Sequence, residues 1–220
     1  MKLTYLGHSA FEFSIDGNNI LVDPFLSQNS VYVPNNIKDI FVTHGHADHF
    51  GDSIELSKNF NAKITAIFEL ANYSLQKGAI ANGVSLGAKL KYSWGWAVFV
   101  PAFHSSSTSE GFYAGCPAGI VFDIGGIRIF HAGDTCLNSE MKVVKELYSP
   151  EIALLPIGGT YTMDIDQAVI AAEWLGVSKV IPMHYNTFPA ISIDPSIFKD
   201  LLSEKEIEAI ILEKNQFIEF

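Results

Sequence analysis

Residues 43–52 read THGHADHFGD and place His44, His46, Asp48 and His49 within six positions. Neutral imidazole and carboxylate are the ligands that first-row divalent metals take. Alternate residues of an extended segment point the same way, so His44 and His46 can share one ion. Asp48 and His49 lie further round the turn and would face a second ion. Gly45 and Ala47 keep the backbone small and let it coil tightly. This is not the helical HExxH pattern, whose histidines stand four apart with a glutamate between them. The spacing predicts a metal centre in preference to a polar surface loop that happens to be rich in histidine.

A two-metal centre needs further ligands. The chain has seven histidines, and five close apolar runs: LTYLGH to His8, DIFVTH to His44, VFVPAFH to His104, IRIFH to His131 and KVIPMH to His184. Such runs read as buried strands. Strands that each end in an imidazole gather them along a sheet edge, where open α/β sheets bind ligands. His104 can complete a three-histidine set with His44 and His46, and His184 can join Asp48 and His49. Asp134, in HAGDT just past a strand end, can bridge both ions. His8 and His131 can orient a ligand, donate a proton or touch substrate; a buried, hydrogen-bonded histidine is the alternative for each. Asp23, in DPF, is a candidate acceptor for a ligand histidine N–H. Cys136 reads as a bystander thiol. Gly158–Met163 and Tyr185–Thr187 can wall a pocket or serve as ordinary loops.

The elements follow from periodicity and punctuation. Strands are expected over 2–6, 11–15, 19–22, 40–43 and 63–67, with a turn at 16–19, a loop over 26–36, and several strands within 83–104. Asp52 is expected to cap a helix over 53–59, and another helix covers 68–77. The Ser- and Gly-rich stretch 105–117 reads as a mobile loop. A hairpin over 118–131 turns at Gly125-Gly126. Then come a helix over 138–147, a strand at 152–155, a helix from Asp164 to Gly176, and a strand at 178–182. Asp194-Pro195 starts a helix to about 205, and strands at 208–212 and 216–219 finish the chain. This order predicts two β-rich layers covered by helices, a four-layer αββα sandwich of class α/β (α+β). No linker is visible, so residues 1–220 read as one domain, with a weak two-half division somewhere in 105–117.

Composition narrows the function. Hydrophobic residues make up 48% and charged residues 17%, which excludes disorder. No apolar run reaches the ~18 residues of a membrane helix. The start, MKLTYLGHSAF, reads as a first strand and not a signal peptide, so a cytoplasmic protein is expected. The net charge is −10, Arg128 is the only arginine, and the lysines are scattered. That argues against a nucleic-acid partner, which calls for a basic stripe. Cys116 and Cys136 are expected to be free thiols. A mean hydropathy of +0.21 leaves room for a homo-oligomeric interface.

The histidine loop, with the later His104, Asp134 and His184 in order, resembles the HxHxDH pattern of the metallo-β-lactamase superfamily. LGHSAF, DPF, HAGDT, LPIGG and PMHYNTFP extend the resemblance over essentially the whole chain. They look like the branch of small bacterial and archaeal metal-dependent hydrolases, similar to ascorbate-6-phosphate lactonases and more distantly to the phospholipase D that cleaves N-acylethanolamine phospholipids. The resemblance implies an αββα fold and two divalent ions, zinc first, with manganese, nickel or iron as alternatives. One ion would take His44, His46 and His104, the other Asp48, His49 and His184, with Asp134 bridging. A histidine at 46, where flavo-diiron relatives carry glutamate, points away from redox iron. The family name is not a substrate.

Two ions about 3.5–4 Å apart lower the pKa of a shared water towards 7, and the bridging hydroxide is then the nucleophile. Asp48 can orient it, and His8 or His131 can protonate the leaving group. The expectation is a metal-dependent hydrolase of a small, possibly anionic ester, lactone or phosphoester. The alternatives are a nuclease or phosphodiesterase acting on nucleic acid, and a non-catalytic metal-binding protein.

Overall fold

The computed structural model describes residues 1–27 and 29–220; Gln28, inside the loop expected over 26–36, lies outside the described residues. The chain forms two compact units. Met1–Ala88, Ser105–Pro117 and Glu213–Phe220 make the first, and Lys89–His104 with Ala118–Leu212 the second. The stretch 105–117, where a division was expected, thus belongs wholly to the first unit.

The first unit holds one seven-stranded sheet. Its strands are β1 (Lys2–Gly7), β2 (Ala10–Ile15), β3 (Asn18–Val22), β4 (Ile37–Phe41), β5 (Lys63–Ile67), β6 (Ile80–Val84) and β14 (Phe217–Glu219), in the order β14-β1-β2-β3-β4-β5-β6. Asp16 and Gly17, at φ 49° and 75°, make a two-residue turn, tighter than the expected 16–19 because Asn18 and Asn19 already pair with Ile15 and Ser14. Strands β1, β2 and β3 are antiparallel in sequence, whereas β3 to β6 run parallel. It follows that β1, β3 and β4 share one direction, and the residues after them emerge at one sheet edge. Helices α1 (Ala47–Phe50), α2 (Ser53–Phe60) and α3 (Phe68–Gln76) belong to this unit. Leu21, Ile40, Ile64 and Leu70 are fully buried in its core. Each such side chain stabilises by about 1.5–3 kcal/mol.

Several local expectations are corrected here. Asp52 does not cap α2 with its side chain; the carboxylate accepts the Leu26 N–H at 2.7 Å and ties the loop to the helix start. The strand placed at 40–43 lies earlier, at 37–41. Residues 105–117 are a loop, as expected, and backbone pairing draws it together. Ser107 pairs with Tyr113 as an antiparallel bridge, and the Thr108 N–H donates to the Phe112 carbonyl at 2.9 Å. Backbone hydrogen bonding closes a small hairpin where composition alone reads as flexible.

The second unit holds the other seven-stranded sheet. Its strands are β7 (Lys89–Tyr92), β8 (Gly95–Pro101), β9 (Ala118–Ile124), β10 (Ile127–His131), β11 (Ile152–Pro156), β12 (Lys179–Met183) and β13 (Glu208–Ala209), in the order β13-β12-β11-β10-β9-β8-β7. The β9–β10 hairpin turns at Gly125-Gly126 as expected, both at positive φ. Strands β8, β9 and β10 alternate direction and β10 to β13 run parallel, so β8, β10 and β12 point the same way. Three helices follow: α4 (Glu140–Tyr148), α5 (Ile165–Leu175) and α6 (Pro195–Ser203). Asp164 caps α5 by accepting the Gln167 N–H, and Asp194 caps α6 with Pro195 at its first position. A 3-10 turn at Pro189–Ile191 was not foreseen, and the strand expected over 208–212 shrinks to 208–209. Among the described residues no helix is long and apolar enough to cross a membrane.

Candidate metal centre

In the first unit the carboxyl ends of β1, β3 and β4 deliver His8, Asp23 and the histidine loop. Asp23 is fully buried and organises the group. Its Oδ1 accepts the Thr43 backbone N–H at 2.8 Å, and its Oδ2 accepts the Thr43 hydroxyl at 2.7 Å. His49 Nδ1 lies 2.7 Å from the same Oδ2. A carboxylate only accepts, so His49 carries its proton on Nδ1 and keeps an Nε2 lone pair. The Thr43 hydroxyl has spent its one proton on Asp23, so at 3.0 Å it accepts from His44 Nδ1. His44 therefore also keeps an Nε2 lone pair. One buried carboxylate sets both rings in the tautomer that a metal requires.

His44 Nε2 stands 3.0 Å from His46 Nδ1. Two nitrogens bound at 2.0–2.1 Å to one tetrahedral ion would be roughly 3.3 Å apart. The spacing thus fits two ligands of a single ion. His8, Asp48 and His49 bring one ligand atom each to within 4.8 Å of one another. His8 Nε2 contacts Asp48 Oδ2 at 3.1 Å. The ring of His8 is buried, while the Asp48 side chain is 28% exposed, so the carboxylate is the member of the pair open to solvent.

In the second unit β8, β10 and β12 deliver His104, Asp134 and His184 at one sheet edge. Asp134 is buried, and its Oδ2 lies 3.1 Å from His184 Nε2 and 3.5 Å from His104 Nε2. His131 is fully buried, and its Nδ1 accepts the Gly133 N–H at 3.1 Å, inside the turn that carries Asp134. Thr135 Oγ1 accepts the Phe103 N–H at 3.0 Å and so links the residue before His104 to the residue after Asp134. A Cβ on Gly158 would stand 2.3 Å from the His184 carbonyl oxygen, so only glycine leaves room for the His184 backbone there. Asn186 Oδ1 accepts the Ile193 N–H at 2.8 Å and shapes the loop after His184.

His8, Asp23 and His184 adopt left-handed backbone, at φ 55°, 46° and 55°. Each such non-glycine residue costs about 1–3 kcal/mol, a strain that concentrates at functional sites. Asp23 meets its sequence expectation as acceptor for a histidine N–H. Thr43, Thr135 and Gly158 were missed as supports, because nothing in their local sequence marks contacts made through the fold. Cys116 and Cys136 are both free and exposed.

Neutral imidazoles with fixed tautomers, set among carboxylates, are a donor set suited to a borderline divalent ion. The comparisons agree. Residues 2–184 match the model described as the beta-lactamase superfamily domain. A UPF0173 metal-dependent hydrolase of Geobacillus thermodenitrificans is 43% identical over 210 residues, covering 92% of this chain and 93% of the relative. One from Methanosarcina mazei is 40% identical over 227 residues, covering 100% and 98%. The structure of Igni18, a metallo hydrolase of Ignicoccus hospitalis, superposes with a TM-score of 0.88 at 37% identity, covering 100% of this chain and 98% of that one. The chain belongs to the metallo-β-lactamase superfamily and, within it, to the UPF0173 family of metal-dependent hydrolases.

Proposed function

We propose that the two ligand sets serve one binuclear centre that hydrolyses a small ester, lactone or phosphoester. His44, His46 and His104 would hold one ion and Asp48, His49 and His184 the other, and Asp134 would complete the set. Zinc suits the nitrogen-rich set best. The observation that carries this reading is the Asp23–Thr43 network, which leaves both His44 and His49 with a metal-facing lone pair. A buried polar network of that kind is costly to build unless the two rings must present those nitrogens.

When bound, the ions supply Lewis acidity and an activated water. The chain supplies the rest. Asp48 would orient the attacking water and take up its proton, which would pass from Asp48 Oδ2 to His8 Nε2, 3.1 Å away, and from the resulting imidazolium to the leaving group. His131, committed to the Gly133 N–H, acts by holding the Asp134 turn. Two divalent ions bring +4 against −3 from Asp23, Asp48 and Asp134 and −1 from a hydroxide, so the centre is close to neutral within a chain of net charge −10 and local Lewis acidity, not net charge, would draw an anionic substrate group. Two exposed thiols suit a reducing compartment, and the cytoplasm is the proposed location.

The test is a panel of lactones, phosphodiesters, carboxylic esters and thioesters, assayed with zinc-loaded and chelator-treated protein. Turnover on one bond class that vanishes with chelator and returns with zinc is expected. Turnover that survives complete metal removal would contradict the proposal.

A further inference from the structure

We propose that the hairpin over residues 105–117 is a clamp on the metal turn, with Ser106 and Ala114 as positioning residues that fix the spacing of His44 and His46. The inference rests on the metal reading given above. Its evidence is a set of contacts made at Gly45, the residue between those two histidines. Ser106 is buried, and its Oγ accepts the Gly45 N–H at 3.2 Å. A Cβ on Gly45 would stand 2.4 Å from the Ala114 Cβ, with the Ser107 carbonyl carbon and oxygen at 3.2 and 3.3 Å. Gly45 is not among the residues at positive φ. Glycine is needed there for room, because the hairpin lies directly against it, and not for backbone freedom. Beside it, Ser105 Oγ stands 3.4 Å from His46 Nε2, the ring nitrogen on the far side from His44.

The clamp is itself anchored. Ala114 is 1% exposed and belongs to the core cluster that holds Phe50, Leu70 and Tyr73. Its N–H donates to the Ser106 carbonyl at 3.2 Å, so the two residues that touch Gly45 are bonded to each other. Thr108 Oγ1 accepts the Phe112 N–H at 3.2 Å across the tip, and the Phe112 ring packs on Tyr73 at 5.4 Å. A core-anchored hairpin thus holds the turn from outside by one hydrogen bond and one steric contact. Its function follows from the 3.0 Å approach of His44 Nε2 to His46 Nδ1. At that separation the two nitrogens can share one proton in a hydrogen bond, and an ion that takes the place of the proton needs them at nearly the same spacing. A turn free to relax would spread them, and the ion would then have to restore the spacing at the expense of affinity.

Zinc affinity is measured by competition with a chromophoric chelator, and ligand geometry from the visible absorption of the cobalt-loaded protein. Ser106→Ala is expected to weaken zinc binding by about tenfold and to shift the cobalt bands. Ser57→Ala serves as the control. It deletes a buried hydrogen bond to the Ala62 carbonyl at the end of α2 and should leave affinity within about twofold. Gly45→Ala should lose more than tenfold, and Ala114→Gly in the same chain should recover part of that loss. Wild-type binding by Ser106→Ala with unchanged cobalt bands would overturn the clamp, as would a Gly45→Ala loss indifferent to residue 114. Those results differ from a wild-type chain that takes up neither ion, which would remove the metal reading and the clamp with it.

Discussion

Replacing Asp23 by asparagine keeps the shape of a fully buried side chain and changes only its hydrogen-bonding sense. The carboxylate takes three donors, from the Thr43 N–H, the Thr43 hydroxyl and His49 Nδ1. Asparagine offers one oxygen and one NH2. With its oxygen kept on the Thr43 N–H, the NH2 faces the hydroxyl and His49. His49 Nδ1 must then accept, which moves its proton to Nε2. The Thr43 hydroxyl, now an acceptor, turns its own proton on His44 Nδ1 and reverses that ring too. Both metal-facing lone pairs are lost, or an unsatisfied buried donor is left at about 1–3 kcal/mol. Losing such support costs 10–100-fold in metal affinity per ligand. With two ligands affected, Asp23→Asn should weaken zinc binding by about 100-fold or more, about 2.7 kcal/mol at 1.36 kcal/mol per decade. Thr43→Val, which removes the hydroxyl's bonds to Asp23 and His44 but leaves His49 on Asp23, should lose about tenfold. Competition titration against a chromophoric chelator reads both, with urea unfolding of the metal-free chains to confirm that they fold. A folded Asp23→Asn chain that binds zinc within about threefold of wild type would refute the tautomer argument.

Three further outcomes are expected. Asp134→Ala should lose metal and turnover together, whereas His8→Ala should keep its metal and lose about 10²–10⁴-fold in rate; metal analysis beside steady-state kinetics separates them. The Asp194 carboxyl is held below its ordinary value of 3.8 by hydrogen bonds from Ser196, side chain first and then backbone. A lowered pKa stabilises the fold above the unfolded value and is lost as pH falls through the folded one. Asp194→Asn should therefore be less stable than wild type at neutral pH, and the gap should close below about pH 3.8, as read by urea midpoints across that range. Gly95→Ala would set a Cβ 1.9 Å from the Asp123 carbonyl at a backbone φ of +144°, and should lose about 2–4 kcal/mol in thermal or urea unfolding.

Much of the candidate site is legible in the chain before it folds. Apolar runs ending in histidine are strands with an imidazole at or just past the carboxyl end, and β10 and β12 are close to the expected spans. The caps Asp164 and Asp194 were readable because capping is a local bond, formed within three residues. Asp52 was misread by the same rule, since its carboxylate is drawn to Leu26, 26 positions away. Ser106 lies 61 positions from Gly45, and Thr135 32 positions from Phe103; such supports have no local signature. The glycine in THGHADHF looked like a concession to a tight turn. Only the packed structure shows that the hairpin of 105–117 occupies the space a side chain would need.

The most direct test of the metal centre is metal content, measured by mass spectrometry on wild type and Asp134→Ala purified side by side after loading with zinc. The account predicts about two zinc ions per wild-type chain and a loss of bound metal in Asp134→Ala. A wild-type chain that retains no zinc, or an Asp134→Ala chain that retains as much as wild type, would contradict it.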